Sequence, residues 1–496
     1  MSHRKRTLRQ MMDGTAFLLQ SLRQQAPSSV AKAEESDGNE NASSCNSGNK
    51  EEEGQKLDVT AEPTQLQQDN NSGSLATKDD KDSGSVAEPS TVELQKNGDL
   101  ENSVSVTDGC EARSGVRLDF SSQPSLVCTF ESEFKSERVA NNYLKGCKWS
   151  ADGQWLLTNS EDRILRVFGF DSAEPSEPST AVLSLRNRVA HGDLIYDFCW
   201  LPSCSEERPL FATTSRDHPV HVWNAVDGSC YSTYRAINHL DELASAHSLS
   251  FSADSSKLFT GFNKMIRVFD VRRPGRQAFE FKTTSKLSVG QSGIISCIAV
   301  SPSFPDVLAA SSYGRTIGIY SLKCRELQCM FRAHFGGITH IRFSNDGSLL
   351  FTGGRKDPEI MCWDLRNPGE YLCAYKRPVN TNQRVYFDID SCCNFLSSGT
   401  ASGLVKVWDI GRIPQRSDGD SAAVESVVSF QANRSTVNGV SINPKQPFIA
   451  TASGQRVFPC PLRDSEGESD DESYDRTSLM ERLDNTLKLW HFKQPE

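Results

Sequence analysis

The chain carries none of the short spacings that announce the common enzyme chemistries. No GxGxxG follows a strand-like run, no GxxxxGK[ST] offers backbone amides to a phosphate, and neither GxSxG nor HExxH occurs in its 496 residues. Histidine is scarce, at nine residues, and has no spacing to carboxylates that would converge them for acid–base work. Catalytic residues, a bound metal and an organic cofactor are therefore not expected. The 15 cysteines include no CxxC pair, and the adjacent Cys392 and Cys393 have poor geometry for sharing one zinc ion. No signal-peptide pattern opens the sequence, and Cys147, Cys199, Cys297 and Cys362 sit in strand-like apolar runs. Reduced core thiols of a nuclear or cytosolic protein are the expectation. No stretch approaches 18 consecutive apolar residues, so no membrane partner is expected.

Aromatic residues are nearly missing from the first 120 positions, where only Phe17 and Phe120 occur. Ser, Asn, Glu, Asp and Gly dominate this stretch, leaving too little apolar surface to offset chain entropy. Residues 1–118 are read as a disordered acidic tail. Within it, Arg4-Lys5-Arg6 through Leu22 (with Leu8, Met11, Met12, Leu18 and Leu19) reads as a transient helix, either a partner or import element or a frayed terminus without a role.

The formal charge of −10 is unevenly spread. Residues 1–120 hold 13 basic and 21 acidic side chains, and residues 459–484 hold 3 and 9. The remainder carries 38 basic and 34 acidic residues and is mildly basic, which permits an anionic partner that the whole-chain charge does not advertise.

What the rest of the chain has in abundance is repetition. A polar residue or glycine opens a turn, and an aromatic follows six positions later at the end of a strand-like run. The pairs are Asp162 to Phe168, Asp217 to Trp223, Asn263 to Phe269, Gly314 to Tyr320, Asp357 to Trp363, Ser402 to Trp408 and Asp484 to Trp490. The aromatics lie 55, 46, 51, 43, 45 and 82 residues apart. Periods of roughly 40–50 residues built from short strands predict an all-β, seven-bladed WD40 β-propeller, here spanning residues 119–496.

In such a blade the turn Asp accepts hydrogen bonds from the backbone and from a histidine at the blade's start. His191 with Asp217 and Trp223, and His334 with Asp357 and Trp363, fit that buried network, and Thr213 and Thr352 would complete it. Asp484 and Trp490 hold the corresponding positions in the last blade. The segment at 125–131 has no blade of its own and is expected to close the ring as the outer strand beside Leu487 to His491. The long last interval implies a disordered acidic insert at about 460–482, in which Ser465 and Ser469 are candidate phosphosites, each with an acid three residues on.

Six of the seven copies place a basic residue in the turn between second and third strands: Arg163, Arg216, Lys264, Arg315, Arg355 with Lys356, and Arg456. Arranged around a ring they would form a positive collar suited to phosphates and bases. Tyr313, Phe335 and Phe458 are positioned for stacking on unpaired bases. Local surface ion pairs, or a face that docks proteins, would account for the same residues.

Longer phrases are more specific. They are Leu144-Lys145-Gly146-Cys147-Lys148-Trp149, Ser312-Tyr313-Gly314-Arg315, Gly336-Gly337-Ile338-Thr339-His340, Arg355-Lys356-Asp357 with Cys362-Trp363-Asp364-Leu365-Arg366, Thr381-Asn382-Gln383-Arg384-Val385-Tyr386-Phe387-Asp388, and Thr451-Ala452-Ser453-Gly454-Gln455-Arg456-Val457-Phe458-Pro459. In this order, from about residue 120 onward, the sequence resembles the telomerase Cajal body proteins of vertebrates. The resemblance implies a non-enzymatic nuclear scaffold, acting as a monomer at Cajal bodies and telomeres. It implies binding to the CAB box of small Cajal-body RNAs and telomerase RNA, and association with telomerase and H/ACA ribonucleoprotein proteins. It also implies scaffolding of DNA-repair proteins at double-strand breaks and folding by the cytosolic chaperonin. Arg315, Arg355, Lys356, Arg384 and Arg456 combine these phrases with the collar and are the leading RNA-contact candidates. The rival is a protein-interaction platform, such as a ubiquitin-ligase substrate receptor, that meets RNA only through partners.

Overall fold

The runs that end on the recurring aromatics form the third strand of each of seven sheets, with four antiparallel strands in each. A computed structural model describes residues 116–137, 139–171, 182–202, 208–284, 290–369, 371–412, 423–457 and 483–494. Residues 1–115 of the segment assigned to the tail, the insert at about 460–482, and Phe458, Ser465 and Ser469 lie outside the described residues. Blade one is built from Leu144–Trp149, Trp155–Ser160, Ile164–Asp171 and Val182–Ala190, running from the axis outward. Blades two to six repeat this plan, with inner strands Ile195–Trp200, Ser248–Phe251, Ile295–Val300, Ile338–Phe343 and Phe387–Ile389. The protein is a seven-bladed β-propeller.

The ring is closed by a strand from each end of the described chain. In the last blade the order is Ser125–Phe130, Leu487–His491, Phe448–Ser453 and Val437–Ile442. Ser125 pairs with His491 and Phe130 with Leu487, across a bulge between Leu126 and Cys128. A short 3-10 turn at Ser132–Phe134 then pins this segment to blade one. Phe134 is buried, and Arg166 lies over its ring with the guanidinium carbon 4.8 Å from the centroid. Glu133 receives both Arg166 and Arg188. Further upstream, Leu118 and Phe120 are buried against Phe492 and the sixth and seventh blades. The packed chain therefore reaches Val116, slightly inside the segment assigned to the tail, because these two apolar side chains cover the base of the last blade.

Seven apolar clusters fill the spaces within and between the blades. The recurring aromatics are their anchors: Phe168, Phe269, Tyr320, Trp363 and Trp408 are all 2% exposed or less. Each such side chain contributes on the order of 1.5–3 kcal/mol by burial. The indole nitrogens of Trp223, Trp363 and Trp490 also donate to Thr213, Thr352 and Thr451 of the neighbouring second strand, at 2.8–3.0 Å. A large apolar ring is thus buried with its single polar atom satisfied.

Five inner strands share a register shift near their first residue. They skip Lys145, Tyr196, Ser296, Thr339 and Asn438. A bulge re-aims one side chain out of the alternating pattern. Lys145, Tyr196 and Asn438 consequently line the axial opening on the face where the inner strands begin.

Candidate nucleic-acid interface

Because adjacent strands are antiparallel, the start of each inner strand and the turn between second and third strands fall on the same face. Four of the basic turn residues adopt left-handed backbone: Arg163 (φ 65°), Lys264 (φ 58°), Arg315 (φ 62°) and Lys356 (φ 48°). Gly403 occupies the equivalent turn of blade six at φ 83°, the only copy among the seven without a basic turn residue. A side chain in this region costs about 1–2 kcal/mol relative to glycine. The long cations persist there despite that cost.

The axial opening on this face is a cavity of about 550 Å³. Its wall gathers Tyr313, Arg355, Lys356, Arg384 and Arg456 from the sequence candidates, with Lys145, Tyr143, Tyr196, His247, Asn380, Asn382 and Gln383. Arg163, Arg216, Lys264 and Arg315 are exposed on the outer turns and do not line it. Instead of an even collar, the turn face carries a basic sector at the mouth between blades five and seven, with separate cations farther out. Beside it, Tyr313, Phe335, Arg355, Lys356 and Asn382 line a notch of about 260 Å³.

Arg355 lies over the Tyr313 ring at 4.1 Å from the centroid and donates to its hydroxyl at 2.9 Å. Phe335 is 76% exposed. Gln383, which sequence reasoning overlooked as a positioning group, accepts the Arg456 amide at 2.8 Å and donates to Asn438 and to the Gly454 carbonyl. It ties the linker between blades five and six to the turn that carries Arg456.

Arg384 requires a correction. It lies within the channel and donates to Asp197 at 3.2 Å, to the Tyr386 hydroxyl at 3.0 Å and to the Ser296 carbonyl at 2.8 Å. Lys148 adds a 3.4 Å contact to Asp197 and a 2.5 Å bond to the Phe198 carbonyl. Burial alone would lower both cations, but Tyr386 and Asp197 outweigh it at Arg384, and Asp197 at Lys148, so both are held protonated. Burial, reinforced by the charges of Lys148, Arg384 and Arg342, pushes the nearby His340 imidazole well below its usual value. This cluster divides the channel into the mouth described above and a second cavity of about 560 Å³ at the opposite end. Arg384 is a cross-brace between blades two, four and six, with its guanidinium already engaged.

The blade networks also differ from one another. In blade five, His334 joins Asp357 at 2.8 Å and Thr352 at 2.7 Å, and Trp363 donates to the same threonine at 2.9 Å. Asp357 also accepts the Phe335 amide at 3.1 Å. In blade two, His191 contacts Thr213 at 2.9 Å but turns its other nitrogen to the Val189 carbonyl at 3.2 Å. Asp217 is exposed there and, among the described residues, bonds to Ser245 and not to His191, so it stands outside the expected network. In blade seven, Asn433 takes the histidine's place, contacting Asp484 at 3.3 Å and Thr486 at 2.6 Å.

The family model for the WD domain, G-beta repeat, matches residues 134–169 and 325–364, in blade one and across blades four and five. The chain is 46% identical over 356 residues to telomerase Cajal body protein 1 of Mus musculus, a match covering 70% of this chain and 65% of that protein. It therefore spans just under two-thirds of the mouse relative's length. It is 43% identical over 391 residues to telomerase Cajal body protein 1 of Homo sapiens, covering 77% of this chain and 69% of the human protein. The Drosophila melanogaster homolog is 33% identical over 383 residues, covering 74% and 66% of the two chains. With WD40 repeats, a seven-bladed propeller and this identity sustained over most of its length, the chain belongs to the telomerase Cajal body protein family.

Proposed function

We propose that this chain is an RNA-binding scaffold whose axial mouth on the turn face receives the terminal loop of small Cajal-body RNAs and of telomerase RNA. In this reading the mouth recognises the CAB box. The protein directs telomerase and H/ACA ribonucleoproteins to Cajal bodies, and telomerase to telomeres, within the nucleus. The observation that carries the reading is the composition of the mouth. Arginine and lysine from blades one, five and seven converge with tyrosines and side-chain amides around an opening of about 550 Å³. Cations supply attraction to phosphate, and amides and aromatics supply contacts to splayed bases. Lys356, exposed on that rim, adds a cation within reach of a phosphate.

Assembly of DNA-repair proteins and folding by the cytosolic chaperonin form part of the same proposal. Closure joins Ser125–Phe130 to Leu487–His491, strands separated by most of the propeller sequence, and such non-local pairing is slow and leaves sheet edges open meanwhile. Protein docking has its own candidate at the opposite mouth, where Trp149, Trp200, Leu249 and Phe251 line the second cavity.

The test is charge reversal at the rim. Lys356→Glu in the full chain, alone and with Arg355→Glu, is expected to weaken binding to a CAB-box stem-loop and to leave the melting temperature nearly unchanged for the single variant. Unchanged RNA affinity in the folded variants would move the RNA contact to partner proteins.

A further inference from the structure

We infer that the notch between Phe335 and the Arg355–Tyr313 pair receives one unpaired nucleobase of the bound loop, an inference that rests on reading this face as an RNA interface. The backbone at the notch is closely packed. A Cβ on Gly336 would fall on the Arg355 carbonyl, and one on Gly337 would lie 2.9 Å from the Tyr313 carbonyl oxygen. The Phe335 amide is held by Asp357, which is itself fixed by His334. The blade network therefore anchors a segment that presents a large apolar ring to solvent, with 76% of its surface exposed.

In the same cavity, Tyr313 and Arg355 form a second flat surface, with the guanidinium carbon 4.1 Å from the ring centroid. A flat heterocycle would occupy the space and stack on these surfaces. Lys356 stands at the rim, exposed, with no acidic partner among the described residues, where the phosphate of the same nucleotide would lie. Stacking surface and phosphate-range cation thus coincide in one cavity of about 260 Å³, room for a single base and not for a duplex.

The experiment uses the full chain and a CAB-box stem-loop carrying one 2-aminopurine at successive loop positions. At one position the probe is expected to be quenched on binding. Phe335→Ala is expected to weaken binding about five- to 150-fold, the range of one base–aromatic stack, with the salt dependence of affinity unchanged. Phe335→Trp is expected to recover the loss and Phe335→Leu to leave it, whereas Lys356→Ala lowers the salt slope by about one. Because Phe335 is mostly exposed, these variants keep the wild-type melting temperature. Wild-type affinity in Phe335→Ala, alongside weakened binding in Lys356→Glu, would refute the notch while leaving the RNA interface standing. A probe unquenched at every position would likewise overturn the assignment and point to a protein side chain as the occupant. Failure of the wild-type chain to bind the stem-loop would remove the underlying reading itself.

Discussion

Asp217 and Asp357 occupy the same place in the repeat, six residues before a tryptophan, yet the structure gives them different energetic roles. Asp357 is fully buried and accepts three hydrogen bonds, from His334 Nδ1 at 2.8 Å, the Phe335 amide at 3.1 Å and the Glu359 amide at 3.3 Å. The hydrogen bonds hold its carboxylate below the usual range, although burial by itself would raise it. Replacing it with asparagine keeps the volume but converts two charge-assisted bonds to neutral ones, each about half as strong. It also sets an amide donor against a backbone donor. Together these changes cost about 3 kcal/mol, with a neutral hydrogen bond taken as about 1 kcal/mol and a buried unmet donor as about 1–3 kcal/mol. Asp217 is exposed, and asparagine tolerates its left-handed backbone, so Asp217→Asn should stay within about 0.5 kcal/mol of wild type. Urea unfolding followed by tryptophan fluorescence reads both, since Trp363 is buried in blade five and stacks on Phe331 at 4.8 Å. Equal midpoints for the two variants would refute the argument that contacts, and not the repeat position, set the energy.

Three further predictions follow from other parts of the ring. Burial lowers His191 from 6.5 to about 4, so the folded state binds fewer protons than the unfolded chain between those values, and stability present above pH 6.5 is lost on acidification through that window. This one residue should account for about 2 kcal/mol of the stability lost between pH 7 and pH 5, and His191→Gln should flatten the pH dependence of the urea midpoint by that amount. Arg384→Met should cost about 3 kcal/mol by leaving the buried Asp197 with Lys148 and the backbone amides of Phe198 and Leu249; a melting temperature equal to wild type with RNA binding lost would return Arg384 to the contact residues. Removing residues 116–131 should expose Leu487–His491 as an edge strand, lower the melting temperature and promote self-association visible by light scattering. A monomeric protein of unchanged stability would show that the clasp is dispensable.

The architecture was legible because its signal is redundant. An aromatic must return to the same buried place in every blade, so Phe168, Phe269, Tyr320, Trp363 and Trp408 wrote the period into the sequence despite their different chemistry. Contacts around those anchors were less legible. His191 and His334 have the same sequence neighbours at long range, but a rotation of the imidazole toward the Val189 carbonyl separates His191 from Asp217. The mouth was legible in kind but not in position. A basic turn residue can be recognised from its neighbours, whereas the sequence does not record whether it leans toward the axis, as Arg355 does, or outward, as Arg315 does. Lys145, Tyr196 and Asn438 enter the mouth through bulges that interrupt the two-residue period, and a single skipped residue leaves no compositional trace. Arg384 sits in a polar phrase that reads as surface, yet its long side chain reaches across the channel to Asp197, 187 positions earlier in the chain.

On the proposed function, the turn face itself reads RNA. The most direct measurement is the affinity of the full chain for a telomerase-RNA terminal stem-loop, with and without the CAB box, across a salt series. The expected result is tighter binding when the box is present and a steady loss of affinity as salt rises, as phosphate contacts at the basic mouth require. Equal affinity for the two RNAs, or no binding by the folded protein, would contradict it.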